Sequence, residues 1–519
     1  MSARQLLLCA SICVLLGSCS VPKPRASSGA SPAGYYPATL ARMERTDPGS
    51  PALLNAHLAY GEFLLSGAPG PCAQRLVLAQ EQLGTVDASP KTRVLFPEGW
   101  ARAADLEYRL HLARADCAGE SAGRDDLLTA VEAARRAADL YHSAFDYRSM
   151  VIMQFDAAAA LHRLGDNPAA VNALQTALHS DREYGFADDA RQNDELLLQW
   201  QGENAGAAQV NRLMQGFPDR RATLKFGWHP TDAHIVLDVR RDCLEDGRIV
   251  HSHAAAAYER HVTSQPSGGF NVKIERPLTQ YDPGVWPSEK DARTAQLYFP
   301  PPQLPALDFT LSDSGEFQGV THSKAFSARL TAETDRLIKA RAPADDQGRS
   351  VMNRAAEVAS IALSPGMLEA ATSENYQLET AMWIGATLEQ GVWYETSGPL
   401  TLPGVSRIAV QQRIEFAFTR RVPCAAGKAQ GSCVEIVIHA TPDKDAVRAM
   451  LADIPSPFPN LRFRDYDASI EARIVVDPAT LLPYSHEERI YWYASFGKDP
   501  ADTILESDHL LSTSSYQAH

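Results

Sequence analysis

Residues Phe155–Ser180 read FDAAAALHRLGDNPAAVNALQTALHS. Ala158 and Leu161 lie before the small-residue break at Gly165, and Ala170, Leu174 and Ala177 lie after it. Their spacing of three and four residues puts an apolar stripe on each of two consecutive helices. Gly165 lets the chain turn tightly between them. Ala170 and Ala177 allow the helices to cross closely, and Leu161 and Leu174 fill the seam. The surrounding sequence repeats this design in looser form. Leu53–Leu65 and Cys72–Leu83 make an earlier pair, Ala130–Tyr141 is an alanine-rich second helix, and Tyr184–Trp200 is a following one.

These offsets resemble a tetratricopeptide repeat, over about 150 residues but with one well-formed unit. The proline expected at the repeat end is absent, because Arg182 falls there. The resemblance implies a stacked antiparallel layer over about 49–216 that binds other proteins along a concave face. A helical bundle without true repeats fits the same pattern.

From about 217 the period changes to two. Leu224, Phe226 and Trp228 alternate with polar residues, His229-Pro230-Thr231-Asp232 turns, and Ile235, Leu237 and Val239 alternate again. Leu307, Phe309 and Leu311 lead into the turn Asp313-Ser314-Gly315. Ile414, Phe416 and Phe418 share a face, as do Val434, Ile436 and Ile438, and Ile470, Ala472, Ile474 and Val476. The opposite positions carry Arg413, Glu415, Glu435, Glu471 and Arg473. One dry and one wet face predicts an antiparallel sheet. Helical spacing over Lys324–Ala342 and Val351–Leu363, stopped by Pro365-Gly366, predicts a helical insertion at about 324–364. The fold expected is therefore α+β and multidomain: a tetratricopeptide-like layer, then a mainly antiparallel β domain over 217–519.

The N-terminus carries an address. Arg4 is followed by an apolar run, Leu6–Leu16, and then Leu16-Gly17-Ser18-Cys19. The run is too short for a bilayer, which needs about 20 residues, but has the length of a signal-peptide core. The sequence resembles the lipobox of bacterial lipoproteins. That resemblance implies a signal peptide over 1–18, lipidation of Cys19, and acyl chains as membrane anchor. Ser20, not Asp, follows the cysteine, which implies the outer membrane, facing the periplasm. Residues 19–48 are then expected to be a lipidated N-terminus and flexible linker, rich in Pro, Ser, Ala and Gly. Formal net charge is −14, which disfavours nucleic acid as a partner.

Beyond Cys9, Cys13 and Cys19, five cysteines remain. In an oxidising compartment pairing is expected. Cys72 opens one helix and Cys117 closes the next long one, so the two ends lie side by side. Cys424 and Cys433 flank a short Gly- and Ala-rich stretch between strand-like runs, as at a stapled hairpin tip. Cys243 is left over.

Motifs that could carry chemistry are sparse. Gly119-Glu120-Ser121-Ala122-Gly123 has the G-x-S-x-G form of a nucleophile elbow, which needs a strand before it and a helix after. A helix precedes it here. Ser495-Phe496-Gly497-Lys498 fits S-x-x-K without companion motifs. His251 and His253 share a strand face and His261 follows, a weak metal set, so no metal or other cofactor is expected. Trp383, Trp393 and Trp492 are weak candidates for lining an apolar ligand cavity. The leading expectation is a non-enzymatic scaffold or assembly factor that binds other envelope proteins and the membrane. A carrier or sensor of an apolar ligand comes second, and a hydrolase or metalloenzyme third.

Overall fold

The computed structural model describes residues 32–46, 50–66, 68–88, 97–118, 123–202, 220–245, 248–278, 308–328, 331–332, 364–401, 409–424, 433–443, 445–447, 449, 462–497 and 504–518. The chain divides into two compact units. One unit, Ser20–Arg220, is helical among its described residues, and the other, Arg221–Phe496 with Leu505–His519, holds nearly all of the described β residues together with one longer helix, Pro365–Glu379.

In the helical unit the elements are α1 (Pro32–Thr46), α2 (Pro51–Ser66), α3 (Cys72–Asp87), α4 (Pro97–Ala118), α5 (Arg124–Ser143), α6 (Tyr147–Arg163), α7 (Asn167–Tyr184) and α8 (Ala187–Trp200). From α4 onward each packs on the next. The expected seam is present. Ala158, Ala170, Leu174 and Ala177 are wholly buried and Leu161 nearly so. Gly165 lies between α6 and α7 with φ +77°. The amide of Gly165 bonds to the carbonyl of His162, and that of Asp166 to the carbonyl of Leu161, which closes the end of α6 in a left-handed cap. Asp166 then accepts from the Ala169 amide, opening α7. The α5–α6 turn uses the same device with Phe145 at φ +56°, and there the buried ring offsets the backbone cost.

A Cβ at Gly165 would meet nothing within 4 Å. The expected cost of Gly165→Ala is therefore backbone strain alone, about 1–2 kcal/mol. Urea denaturation of the variant measures it.

One difference lies in the expected linker. Its second half forms α1, and Tyr36 stacks on Tyr60 at 5.4 Å and lies 5.3 Å from Phe63. Aromatic burial outweighs the disorder that its Pro, Ser and Gly content suggests. Residues 1–31, with Cys19, lie outside the described residues.

The β unit contains β1 (Arg221–Thr223), β2 (Thr231–Glu245), β3 (Arg248–Ser264), β4 (Phe270–Leu278), β5 (Phe309–Leu311), β6 (Phe317–Val320), helix α9 (Pro365–Glu379), a 3-10 turn (Ala381–Trp383), β7 (Thr387–Glu389), β8 (Trp393–Thr401), β9 (Ala409–Val422), β10 (Cys433–Pro442), β11 (Arg462–Val476), β12 (Pro483–Gly497) and β13 (Ile504–Ala518). Eleven strands form one sheet in the order β6-β5-β4-β3-β2-β13-β12-β11-β10-β9-β8, and β1 pairs with β7 apart from it. All the described pairings are antiparallel.

The apolar stripes meet in register. Ile436 lies opposite both Ile474 and Phe418, Ile438 opposite Ala472 and Phe416, and Ala440 opposite Ile470 and Ile414. With Trp383, Leu378, Leu224 and Leu388 they form one core. A second gathers Trp228, Val262, Val272, Phe309, Leu311 and Tyr376.

Three details differ from the expectation. Leu224 and Trp228 are buried as their alternation requires, but their segment is extended chain and not a sheet strand. It is held by Leu224 N to the Ala386 carbonyl, Lys225 N to Pro478 and Gly227 N to Thr480. The proposed wet face is dry at its centre: Glu435 and Glu471 are 1% and 5% exposed, whereas Arg413 at the margin is open. Third, Pro365, expected to stop a helix, starts α9. Proline tolerates the first helical turn because its missing N–H would find no partner there. The insertion is thus helical. Of the expected helices 324–342 and 351–363, only 324–328 and 331–332 are described.

Both expected cysteine pairs are bonded, Cys72–Cys117 with Cα atoms 6.4 Å apart and Cys424–Cys433 with 5.0 Å. The first ties the start of α3 to the end of α4, and the second joins β10 to the end of β9. The side chain of Cys243 lies outside the described residues.

Candidate functional site

Polar chemistry in the β unit concentrates at two places. The first is the face shared by even-numbered residues of β2 and odd-numbered residues of β3. Directly opposed there are Asp232 and His261, His234 and Glu259, Arg240 and His253, and Asp242 and His251. His234 Nδ1 bonds to Glu259 Oε1 at 2.6 Å and His261 Nδ1 to Asp232 Oδ1 at 2.7 Å. His253 Nε2 bonds diagonally to Asp238 Oδ2 at 2.6 Å. Glu275, beside Lys273 on β4, approaches His261 Nε2 at 3.9 Å. The three histidines, Glu259 and Asp238 are half-buried, whereas Asp232, Lys273 and Glu275 are exposed. Each described imidazole therefore has a cross-strand carboxylate, the sheet counterpart of a helical ion pair.

His251, His253 and His261 are not gathered. All three share the face, but His261 lies eight residues beyond His253, about 26 Å along an extended strand, with acids of its own. Among the described residues no group of three His, Cys, Asp or Glu is placed to hold a metal ion. The side chain of His251 is not among them.

The second place is the inner face where the two apolar cores meet. Glu379, the last residue of α9, accepts from Tyr516 Oη at 2.8 Å and pairs with His486 Nδ1 at 2.9 Å. Arg260 is 6% exposed and stacks over Trp228 at 5.2 Å and Tyr516 at 5.0 Å. Burial pushes Glu379 up, but the bond and charge of His486, then Tyr516 and Arg260, hold its carboxyl below the ordinary range. Burial pushes His486 down, and the bond and charge of Glu379 outweigh it, so the imidazole is raised. Glu488 is raised by burial, reinforced by the charge of Glu379 and opposed by that of His486. Acceptor and donors come from α9, β12 and β13, so the cluster fastens the helix to the middle of the sheet. The signal for it was present: Arg260 occupies a core position in the alternation of β3, where a cation needs a partner.

The tryptophans serve separate ends. Trp383 is fully buried, donates from Nε1 to the Leu378 carbonyl, and packs edge-on to Phe416. Trp492 is buried as well. Trp393 is 41% exposed at the margin of the sheet, edge-on to His439. Among the described residues, Trp383 belongs to the core and Trp393 to the exposed margin.

The nucleophile patterns also lack their settings. Residues 119–122, with Ser121, lie outside the described residues, but the segment is flanked by α4 and α5, so no strand leads into it. Gly123 has a packing role, since a Cβ there would lie 2.7 Å from Ala115 Cα. Ser495 is wholly buried in β12, away from any substrate. Among the described residues no helix is long and apolar enough to cross a membrane. No protein-family model matches the chain, and no match is found among curated proteins.

Proposed function

We propose that this chain is a lipid-anchored scaffold or assembly factor of the bacterial envelope. Cys19 is the lipidated residue, on the periplasmic side of the outer membrane, and the helical layer recruits another envelope protein. The observation that carries this reading is the pair of disulfides, Cys72–Cys117 and Cys424–Cys433. Such bonds persist in oxidising compartments and are rare in the cytosol. The Leu16-Gly17-Ser18-Cys19 sequence supplies the matching export and anchor signal. The successive antiparallel helices support a protein partner, because stacked layers of this kind present long surfaces to other chains. Ile152 on α6 and Leu128 on α5 are apolar side chains such a partner could cover, at 45% and 46% exposure.

Mass spectrometry of the chain from a Gram-negative host tests the anchor. The expected N-terminal peptide begins at Cys19 and carries acyl groups, and Cys19→Ala moves the protein from the membrane to the soluble fraction. An unmodified N-terminus at Met1 would overturn the reading. A photo-crosslinker at position 152 tests the partner, with an envelope-protein adduct expected.

A further inference from the structure

We infer that the inner face of the β unit carries a site for a monoanionic carboxylate, built on the buried guanidinium of Arg260 and the unbonded nitrogen of His486. Arg260 on β3 is 6% exposed. Its Nε is buried without a hydrogen-bond partner, and among the described residues no carboxylate lies within ion-pair reach of it. The ring of Trp228 is 5.2 Å from its Cζ and that of Tyr516 5.0 Å. Both rings are themselves held. Trp228 Nε1 donates to the Leu481 carbonyl at 3.3 Å, and Tyr516 Oη to Glu379 Oε1 at 2.8 Å. Aromatic faces attract the charge, but they do not complete the N–H donors of the guanidinium.

The surroundings select the ligand. An unbonded guanidinium away from water is costly, and its planar fork fits a carboxylate through two parallel bonds. His486 adds a second donor. Its Nδ1 is taken by Glu379 at 2.9 Å, while its Nε2 is buried and unbonded. Burial pushes the imidazole down, but the bond and charge of Glu379 raise it, so Nε2 keeps a proton to donate. Arg260 and His486 together face the ionised Glu379, whose Oε1 already serves both His486 and Tyr516. Burial pushes Glu488, the other carboxyl here, toward its neutral form. That balance leaves room for one negative charge and not two, which favours a carboxylate over a phosphate. Trp228 shares a core with Val262, Val272, Tyr376 and Leu482, so the ligand carries an apolar body. The side chains of His486 and Glu379 are 15% and 22% exposed, which gives entry. The site stands independently of the anchor at Cys19.

The test is calorimetric titration of the full chain with octanoate, and with octylammonium and octyl phosphate as probes of the same tail. One equivalent of octanoate is expected to bind saturably, octyl phosphate more weakly, and octylammonium not at all. Arg260→Gln weakens octanoate binding about 10- to 100-fold, the usual value of a hydrogen bond to a charged group. Arg260→Lys keeps the charge, loses the fork, and weakens it too. His261→Ala, on the opposite face of β3, leaves it unchanged. No octanoate binding, equal binding of octylammonium, or full affinity in Arg260→Gln would overturn the proposal, and tighter binding of octyl phosphate would overturn the choice of carboxylate. Circular dichroism checks folding. If the Arg260 variants do not fold, carboxyl-labelled octanoate on the parent chain decides by NMR. Bound beside the guanidinium it ionises at lower pH than free octanoate, and ionisation at higher pH overturns the site.

Discussion

Glu435→Ala is expected to destabilise the β unit by about 3–5 kcal/mol, the usual cost of removing one partner from a buried charge pair. Glu435 accepts from Thr419 Oγ1 at 2.7 Å, from Arg420 Nε at 3.2 Å and from Arg420 Nη2 at 3.1 Å. Arg473 stands 3.8 Å away. Without the carboxylate, the guanidinium of Arg420 loses the charge it faces, in surroundings where water is scarce. Arg473 keeps Glu487 and suffers less. Arg413→Ala is the control. Its bonds to Glu395 and Glu415 are each 2.8 Å, but the side chain is 45% exposed, so a loss under about 1 kcal/mol is expected. Denaturant unfolding of both variants checks the contrast. Equal losses would show that depth in the sheet does not decide the value of these pairs.

Asp181→Asn is expected to stabilise the helical unit at pH 8 and to leave it unchanged near pH 4. Asp181 is wholly buried in α7. Its Oδ2 accepts from Asn193 Nδ2 at 2.7 Å, and its Oδ1 has no hydrogen-bond partner. Burial raises its carboxyl to about 7, against the lowering pull of Asn193 and with a smaller push from the charge of Asp189. The folded chain therefore holds a proton that the unfolded chain gives up near pH 4. Between those values the folded state binds more protons, so stability is complete at low pH and falls as pH rises toward 7. Asparagine cannot ionise and removes that loss. The gain at pH 8 is of order 2–4 kcal/mol, taking about 1.36 kcal/mol per unit. Parallel pH profiles for the variant and its parent would refute this mechanism.

The helical seam was legible because its signals are local. Gly165, Ala170, Leu174 and Ala177 lie within a few residues of the neighbours they serve, so the offsets alone assign their roles. The cysteine pairs were legible for a similar reason: Cys72 and Cys117 mark helix ends, and Cys424 and Cys433 mark strand ends. The apolar faces of β9, β10 and β11 were readable too, since period two fixes which side chains share a face. What period two cannot give is how deeply the other face is covered. Glu415 and Glu435 look alike in sequence, yet one sits at the margin of the sheet and the other inside it. Strand order was hidden for a related reason. The placement of β13 between β2 and β12 is a long-range choice, and no short stretch encodes it. The Glu379–His486–Tyr516 cluster depends on that choice.

The position of β13 has a kinetic consequence. Among the described strands it alone joins the ribbon β2–β6 to the ribbon β8–β12. A nascent chain that has not yet extended past residue 503 holds two separate sheets, each with a long, unsatisfied edge at β2 or β12. Such edges invite pairing with other chains, and closing a loop from β2 to β13 is a slow, non-local event. The helical repeats meet no such delay, because their contacts are between neighbours. Synthesis therefore releases an early-folding half followed by one that stays vulnerable until its central strand arrives, and a chaperone would be needed during that interval.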